Sequence, residues 1–200
     1  LVGSGVKLSG SEKLITNFIK KNQIPYTCSW GAADIFSTND NLNVGSIGVA
    51  ATRNGNFTLQ KADLLICMGI RFNTQLAGGN PKNFAPNAKK ILIDIDSNEF
   101  KSHRIPKINV KIKANINDYL AELNKINLNL DKNEISKWLK VTRNLKNKFP
   151  MLSKKNFINN NYVDPYLFFH QLSNYIKKNS VLIPDASANL IWAYQAFKIH

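Results

Sequence analysis

Residues Gly45–Phe100, GSIGVAATRNGNFTLQKADLLICMGIRFNTQLAGGNPKNFAPNAKKILIDIDSNEF, decide the fold of this 200-residue chain. Asp63–Met68 (DLLICM) is a continuous aliphatic run, too short for an ordinary helix, and reads as a strand buried on both faces. Lys90–Ile95 (KILIDI) repeats the pattern. The first run is closed by Gly69 and the second by the acidic pair Asp94 and Asp96. Parallel α/β sheets bind ligands at such carboxyl ends, so the Gly-bearing loop between the runs, with Arg71 at its mouth, is the candidate site. A carboxylate at the end of the second strand can accept hydrogen bonds from ribose or ribityl hydroxyls. Asp96, Ser97 and Asn98 also read as a plain turn. Arg71 carries a planar fork that can grip a phosphate, and in a loop it reads equally as a solvated side chain.

Working outward, Leu1–Gly5 reads as the tail of a strand running into a glycine turn, as if the chain were a segment of a longer protein. A helix follows from about Ser11 to Lys21, with Leu14, Ile15, Phe18 and Ile19 on one stripe. Ile24–Cys28 is a short strand closed by Trp30-Gly31. Ile108–Ile112 alternates like an edge strand, and Asn115 caps a helix carrying Ile116, Tyr119, Leu120, Leu123 and Ile126. The first domain then ends near Ile126. Residues 127–161 turn Lys/Asn-rich and read as a mostly exposed connection with one helix, bearing Ile135, Trp138, Leu139 and Leu145. Asp164-Pro165 opens another helix as N-cap and first residue. Ser180–Pro184 reads as a strand leading through Asp185–Asn189 into a last helix with Trp192, Gln195 and Phe197. One strand and two helices do not close a sheet, so residues 162–200 read as the start of a second α/β domain.

The formal net charge of +14 raises nucleic acid or an anionic membrane as partners. The lysines are scattered, however, and neither an RNA-binding aromatic motif nor a DNA-reading basic helix is present. No apolar run approaches the roughly 20 residues that span a bilayer. We therefore expect neither nucleic acid nor membrane as partner, and a soluble, cytoplasmic setting. Cys28 and Cys67 lie far apart outside any Cys-x-x-Cys pair and read as buried, reduced thiols. His103, His170 and His200 form no cluster with them, so no metal site is expected.

Several phrases in order resemble the central domain of thiamine-diphosphate-dependent enzymes of the acetolactate synthase type. They are LVGSGVKLSGS at 1–11, IPYTCSWGAAD at 24–34, the set Gly45, Gly48, Arg53, Asn56, Phe57, Gln60, Ala62, Asp63, Gly69, Arg71 and Phe72, and FAPNAKKILIDIDSNE at 84–99. The resemblance implies an α/β fold with a doubly wound, mostly parallel, Rossmann-like sheet over residues 1–126, the linker at 127–161, and an incomplete pyrophosphate-binding domain from 162 to 200. It implies a full-length 2-oxo acid decarboxylase or carboligase, a homodimer or homotetramer using thiamine diphosphate and Mg2+, in which this segment is structural and holds no catalytic residue. Fragment and parent then differ: the fragment alone is expected to be inactive.

Carried over by position, flavin contacts fall at Gly3, Ser4, Thr27, Arg71, Asp94 and Ile95, and thiamine diphosphate contacts at Ser187, Ala188 and Asn189. The flavin pattern is broken at Asn73, Thr74 and Gln75, at Val49–Ala51 and at Ala114–Ile116. Loss of one phosphate-facing arginine costs about 1.5 to 3 kcal/mol of charge-assisted bonding, so FAD is expected only as an optional ligand. Two other classes fit the same residues: an NAD- or FAD-binding module of another α/β enzyme, and a non-catalytic basic binding module.

Overall fold

The computed structural model describes residues 1–101, 107–158, 161–177 and 179–200. His103, Lys178 and two residues of the expected linker, 159 and 160, lie outside them. The two aliphatic runs form strands that pair in parallel, β3 (Leu64–Met68) with β4 (Lys89–Asp94), in register from Leu64 opposite Lys89 to Met68 opposite Ile93. The expected edge strand is β5 (Val110–Lys113), parallel to β4. On the other side β1 (Tyr26–Cys28) pairs in parallel with β2 (Asn43–Ser46). Val2 joins the two sheets, bridging Cys28 and Met68. Its amide donates to the Thr27 carbonyl at 2.9 Å, and the Gly3 amide donates to the Met68 carbonyl at 2.9 Å.

The spatial order is therefore β2, β1, Val2, β3, β4, β5, all parallel, with chain order reversing at Val2. That is a doubly wound sheet, and the reversal marks the candidate crevice beyond the carboxyl ends of Val2 and β3, where such sheets bind ligands. Alternation along the strands divides the core into two layers. Met68 and Ile93 face one layer with Val6, Ile15, Phe18 and Leu120, while Cys67 and Leu92 face the other with Ile47, Ile70, Phe72 and Phe84. The short α1 (Ser4–Leu8) places Val6 in the first layer, and α2 (Glu12–Asn22) contributes Ile15, Phe18 and Ile19 from the stripe read in the sequence.

Among the elements not anticipated are β2 and the helix α3 (Arg53–Lys61), whose sequence RNGNFTLQK is poor in apolar residues. Packing holds them. A Cβ on Gly55 would stand 2.0 Å from the Ser46 carbonyl oxygen, so only glycine lets α3 lie this close to β2. The Thr52 side chain accepts from the Gly55 amide as the helix cap, and Asn54 donates to the Val44 carbonyl at 2.8 Å. The short α4 (Thr74–Ala77) is capped by Asn73, whose Oδ1 accepts from the Leu76 amide at 2.9 Å. Further on, α5 (Ile116–Lys125) begins at the expected cap Asn115.

The helix expected in the connection is α6 (Lys132–Lys148). Most of its side chains are exposed, yet Leu139 joins the first core layer. Lys146 donates to the carbonyls of Thr38, Asp40 and Asn43 at 3.3, 3.2 and 3.2 Å, fastening α6 to the loop before β2. The helix α7 (Pro165–Tyr175) starts at the Asp164 cap, which accepts from the Leu167 amide at 2.8 Å. It packs against α8 (Ala188–Ala196) through a small third cluster around Phe169, Ala193 and Ala196. The strand expected at Ser180–Pro184 is not formed: these residues have no sheet assignment, and Val181 and Ile183 are exposed. An aliphatic alternation needs a neighbouring strand for its backbone hydrogen bonds, and among the described residues none is within pairing reach.

Candidate cofactor crevice

At the mouth of the crevice three glycines decide the geometry. A Cβ on Gly3 would lie 2.1 Å from the Gly69 carbonyl oxygen and one on Gly5 2.7 Å from the Gly69 Cα, and Gly69 itself has φ +58°. The GSG turn thus seats α1 against the end of β3. Its glycines serve backbone-to-backbone approach inside the protein. Ser4 is exposed beside Gly31, and Arg71 follows two residues after Gly69.

The sequence-derived flavin positions come together along the carboxyl edge of the sheet, in different states of engagement. Gly3 is buried as the N-cap of α1. The Thr27 side chain is buried, and its hydroxyl donates to the Gly45 carbonyl at 2.7 Å, tying β1 to β2. The Arg71 side chain is 76 % exposed and its Nε lies 3.4 Å from Glu99 Oε1. Asp94 is buried, its Oδ1 accepting from the Asp96 amide at 2.9 Å, and Asp96 in turn accepts from the Asn98 amide at 2.9 Å. Both acids therefore shape the turn after β4. Ile95 is 63 % exposed. Ser4, Arg71 and Ile95 face solvent, whereas the Thr27 hydroxyl and one Asp94 oxygen are committed to the sheet edge. For a dinucleotide the fit is thus partial, with one exposed guanidinium and one exposed hydroxyl as ready side-chain partners.

Two of the three segments that break the flavin pattern, Val49–Ala51 and Asn73–Gln75, touch one another, which the linear sequence conceals. The Val49 amide donates to the Gln75 carbonyl at 2.7 Å, so the loop after β2 is fastened to α4. Asn56 clamps the same loop, accepting from the Gly48 amide at 3.0 Å and donating to its carbonyl at 2.9 Å. Gln195 of α8 donates to the Ala51 carbonyl at 3.2 Å. Tyr194 reaches the Cys28 carbonyl at 3.0 Å, and its ring meets Trp30 edge-on at 5.5 Å. The last helix is thereby docked over the ends of β1 and β2. Burial, then the neighbouring Cys28, pushes the Tyr194 hydroxyl pKa up.

Ser187, Ala188 and Asn189 stand at the start of α8. Ser187 is its cap residue with φ +72°, and the Asp185 carboxylate accepts from the Ala186 amide at 2.7 Å. The first amides of this nine-residue helix can face a diphosphate, which fits that part of thiamine diphosphate. Among the described residues no three His, Cys, Asp or Glu side chains converge to hold a metal ion. Cys28 and Cys67 are free and buried; burial pushes their thiols up to about 12 and about 11, so neither is a nucleophile near neutral pH.

Residues 1–123 match the family described as the thiamine pyrophosphate enzyme, central domain. The chain belongs to this family. Similar proteins extend the match across nearly its whole length. The acetolactate synthase isozyme 1 large subunit of Escherichia coli (strain K12) is 28% identical over 189 residues, covering 93% of this chain and 32% of that protein. The acetolactate synthase large subunit of Lactococcus lactis subsp. lactis (strain IL1403) is 25% identical over 197 residues, 98% of this chain and 33% of its own. The chloroplastic acetolactate synthase 1 of Nicotiana tabacum is 29% identical over 203 residues, 98% and 29%. The chain thus spans about a third of the length of the curated relatives it matches. The thiamine-enzyme resemblance read from the phrases at 1–11, 24–34, 45–72 and 84–99 is borne out, and so is the parallel α/β architecture. No helix among the described residues is long and apolar enough to cross a membrane.

Proposed function

We propose that this chain is the structural middle of an acetolactate-synthase-like enzyme that decarboxylates a 2-oxo acid and transfers the remaining carbon unit to an acceptor. The observation that carries the reading is the docking of α8 across β1 and β2 by Tyr194 and Gln195, which holds Ser187–Asn189 at a set place relative to the family's central domain. Thiamine diphosphate, with Mg2+, supplies carbanion-stabilising chemistry when bound. The part of this chain is positional: the α8 amides would face the diphosphate, and the sheet beneath would set their distance from the crevice. No catalytic acid or base is assigned to residues 1–200. The parent is proposed to be a soluble homodimer or homotetramer.

A flavin in the crevice is the second reading, favoured by the exposed Arg71. The supporting side chains argue for a structural role first, since the Thr27 hydroxyl and Asp94 Oδ1 already close internal hydrogen bonds. The test pairs two measurements. Carbon dioxide release from pyruvate and other 2-oxo acids by the whole protein is expected to require thiamine diphosphate and Mg2+ and to need no added FAD. Thermal melting is expected to rise with thiamine diphosphate and Mg2+; a rise with NAD alone, without turnover, would sink the assignment. Quenching of FAD fluorescence that Arg71→Gln abolishes would establish the second reading.

A further inference from the structure

A cavity of about 480 Å³ opens away from the crevice, where the loop at 38–41, α6, α7 and the residues after α8 converge. Its wall carries Arg143, Lys146, His170 and Lys198 and, among the described residues, no Asp or Glu. Asp40 is the acid whose field reaches this wall, acting on Lys146, and its Oδ1 accepts from the Leu42 amide at 2.8 Å. Lys146 is occupied by its three carbonyls. The other two cations are more open. Arg143 is exposed and, among the described residues, Lys198 reaches the neutral Asn174 Oδ1 at 3.4 Å. His170, whose Nδ1 finds no partner among the described residues, has a backbone hydrogen bond with Ala196.

Two cations facing one cleft with no lining carboxylate repel each other, and an anion between them removes that repulsion. A guanidinium fork also matches the paired oxygens of a phosphate or carboxylate. We propose that this cleft binds a small oxyanion, the phosphate or carboxylate group of a metabolite, between the Arg143 guanidinium and the Lys198 ammonium. Arg143 belongs to the helix fastened to the loop before β2, and Lys198 to the tail of α8, so the ligand ties the α7–α8 pair to the sheet domain. A volume of about 480 Å³ suits a small molecule.

The full chain is melted in inorganic phosphate, pyrophosphate and citrate, each against sodium chloride of equal ionic strength. A saturable rise above the chloride control is expected, with Arg143→Gln and Lys198→Gln each weakening the apparent affinity by about tenfold. Lys137→Gln, on α6 outside the cleft, leaves it unchanged. A response to the phosphates alone assigns a phosphoryl group and a response to citrate alone a carboxylate, and either supports the site. Shifts equal to chloride, or equal in all three variants, overturn it. So does an oligonucleotide that binds more tightly than pyrophosphate and is weakened as much by Lys137→Gln as by Arg143→Gln, which assigns a diffuse basic surface instead.

Discussion

In β4, Leu92 and Ile93 are 1 % and 0 % exposed; in the segment before α8, Val181 and Ile183 are 83 % and 85 % exposed. Both stretches are aliphatic and flanked by acidic or turn residues, and by composition they read alike. What separates them is company. Leu92 and Ile93 lie between β3 and β5 with a packed layer on each face. Val181 and Ile183 have no strand beside them among the described residues, so their backbone stays irregular. Strand propensity describes a fit to a pleated, half-buried surface and does not create one.

The sharpest way to break this contrast is at the glycine junction that closes the sheet domain. Gly3→Ala places a methyl 2.1 Å from the Gly69 oxygen, and because the obstacle is backbone, nothing flexible can yield. A loss of about 4 kcal/mol or outright failure to fold is expected in urea unfolding. A cost under about 1 kcal/mol would show the junction to be looser than described. Next, Leu92→Ala is expected to cost about 3 kcal/mol, against about 0.5 kcal/mol or less for Ile183→Ala, in the same denaturation experiment. Equal costs would mean that the 180–184 segment is buried in solution.

A third test uses pH. The Cys67 thiol has its pKa raised by burial from 9.0 to about 11, so between those values the folded state holds a proton that the unfolded state has lost. Its contribution is complete below pH 9 and is lost as pH rises toward about 11, an effect of about 3 kcal/mol. Buried Lys90, whose pKa burial lowers, works in the opposite direction, adding stability as pH rises toward 10.5. The difference in pH slope between the chain and Cys67→Ala isolates the thiol; identical slopes would place Cys67 in contact with water. The smallest effect is expected at Arg71. Its side chain is 76 % exposed where it pairs with Glu99, and Arg71→Ala should change stability by less than about 1 kcal/mol, leaving its role to ligand-binding measurements.

The long runs 63–68 and 90–95, the α2 stripe and the caps Asn115 and Asp164 were legible because each rests on local periodicity or a short-range hydrogen bond. β2 and α3 were not, since NVGS and RNGNFTLQK carry little pattern and are held by the close approach of Gly55 to Ser46. For the crevice, the sequence named positions that do share one sheet edge. It did not show that the hydroxyl of Thr27 and an oxygen of Asp94 are already engaged, or that Val49 is bonded to Gln75.

The residues alone determined the family and most of the longer strands and helices, because these are written in near-neighbour spacing and in ordered phrases. Only the tertiary structure decided the strand order around Val2, the use of the GSG glycines for packing, and the seating of α8 on β1 and β2. Each of these depends on contacts between residues far apart in the chain, set by space and backbone hydrogen bonding that no local pattern encodes.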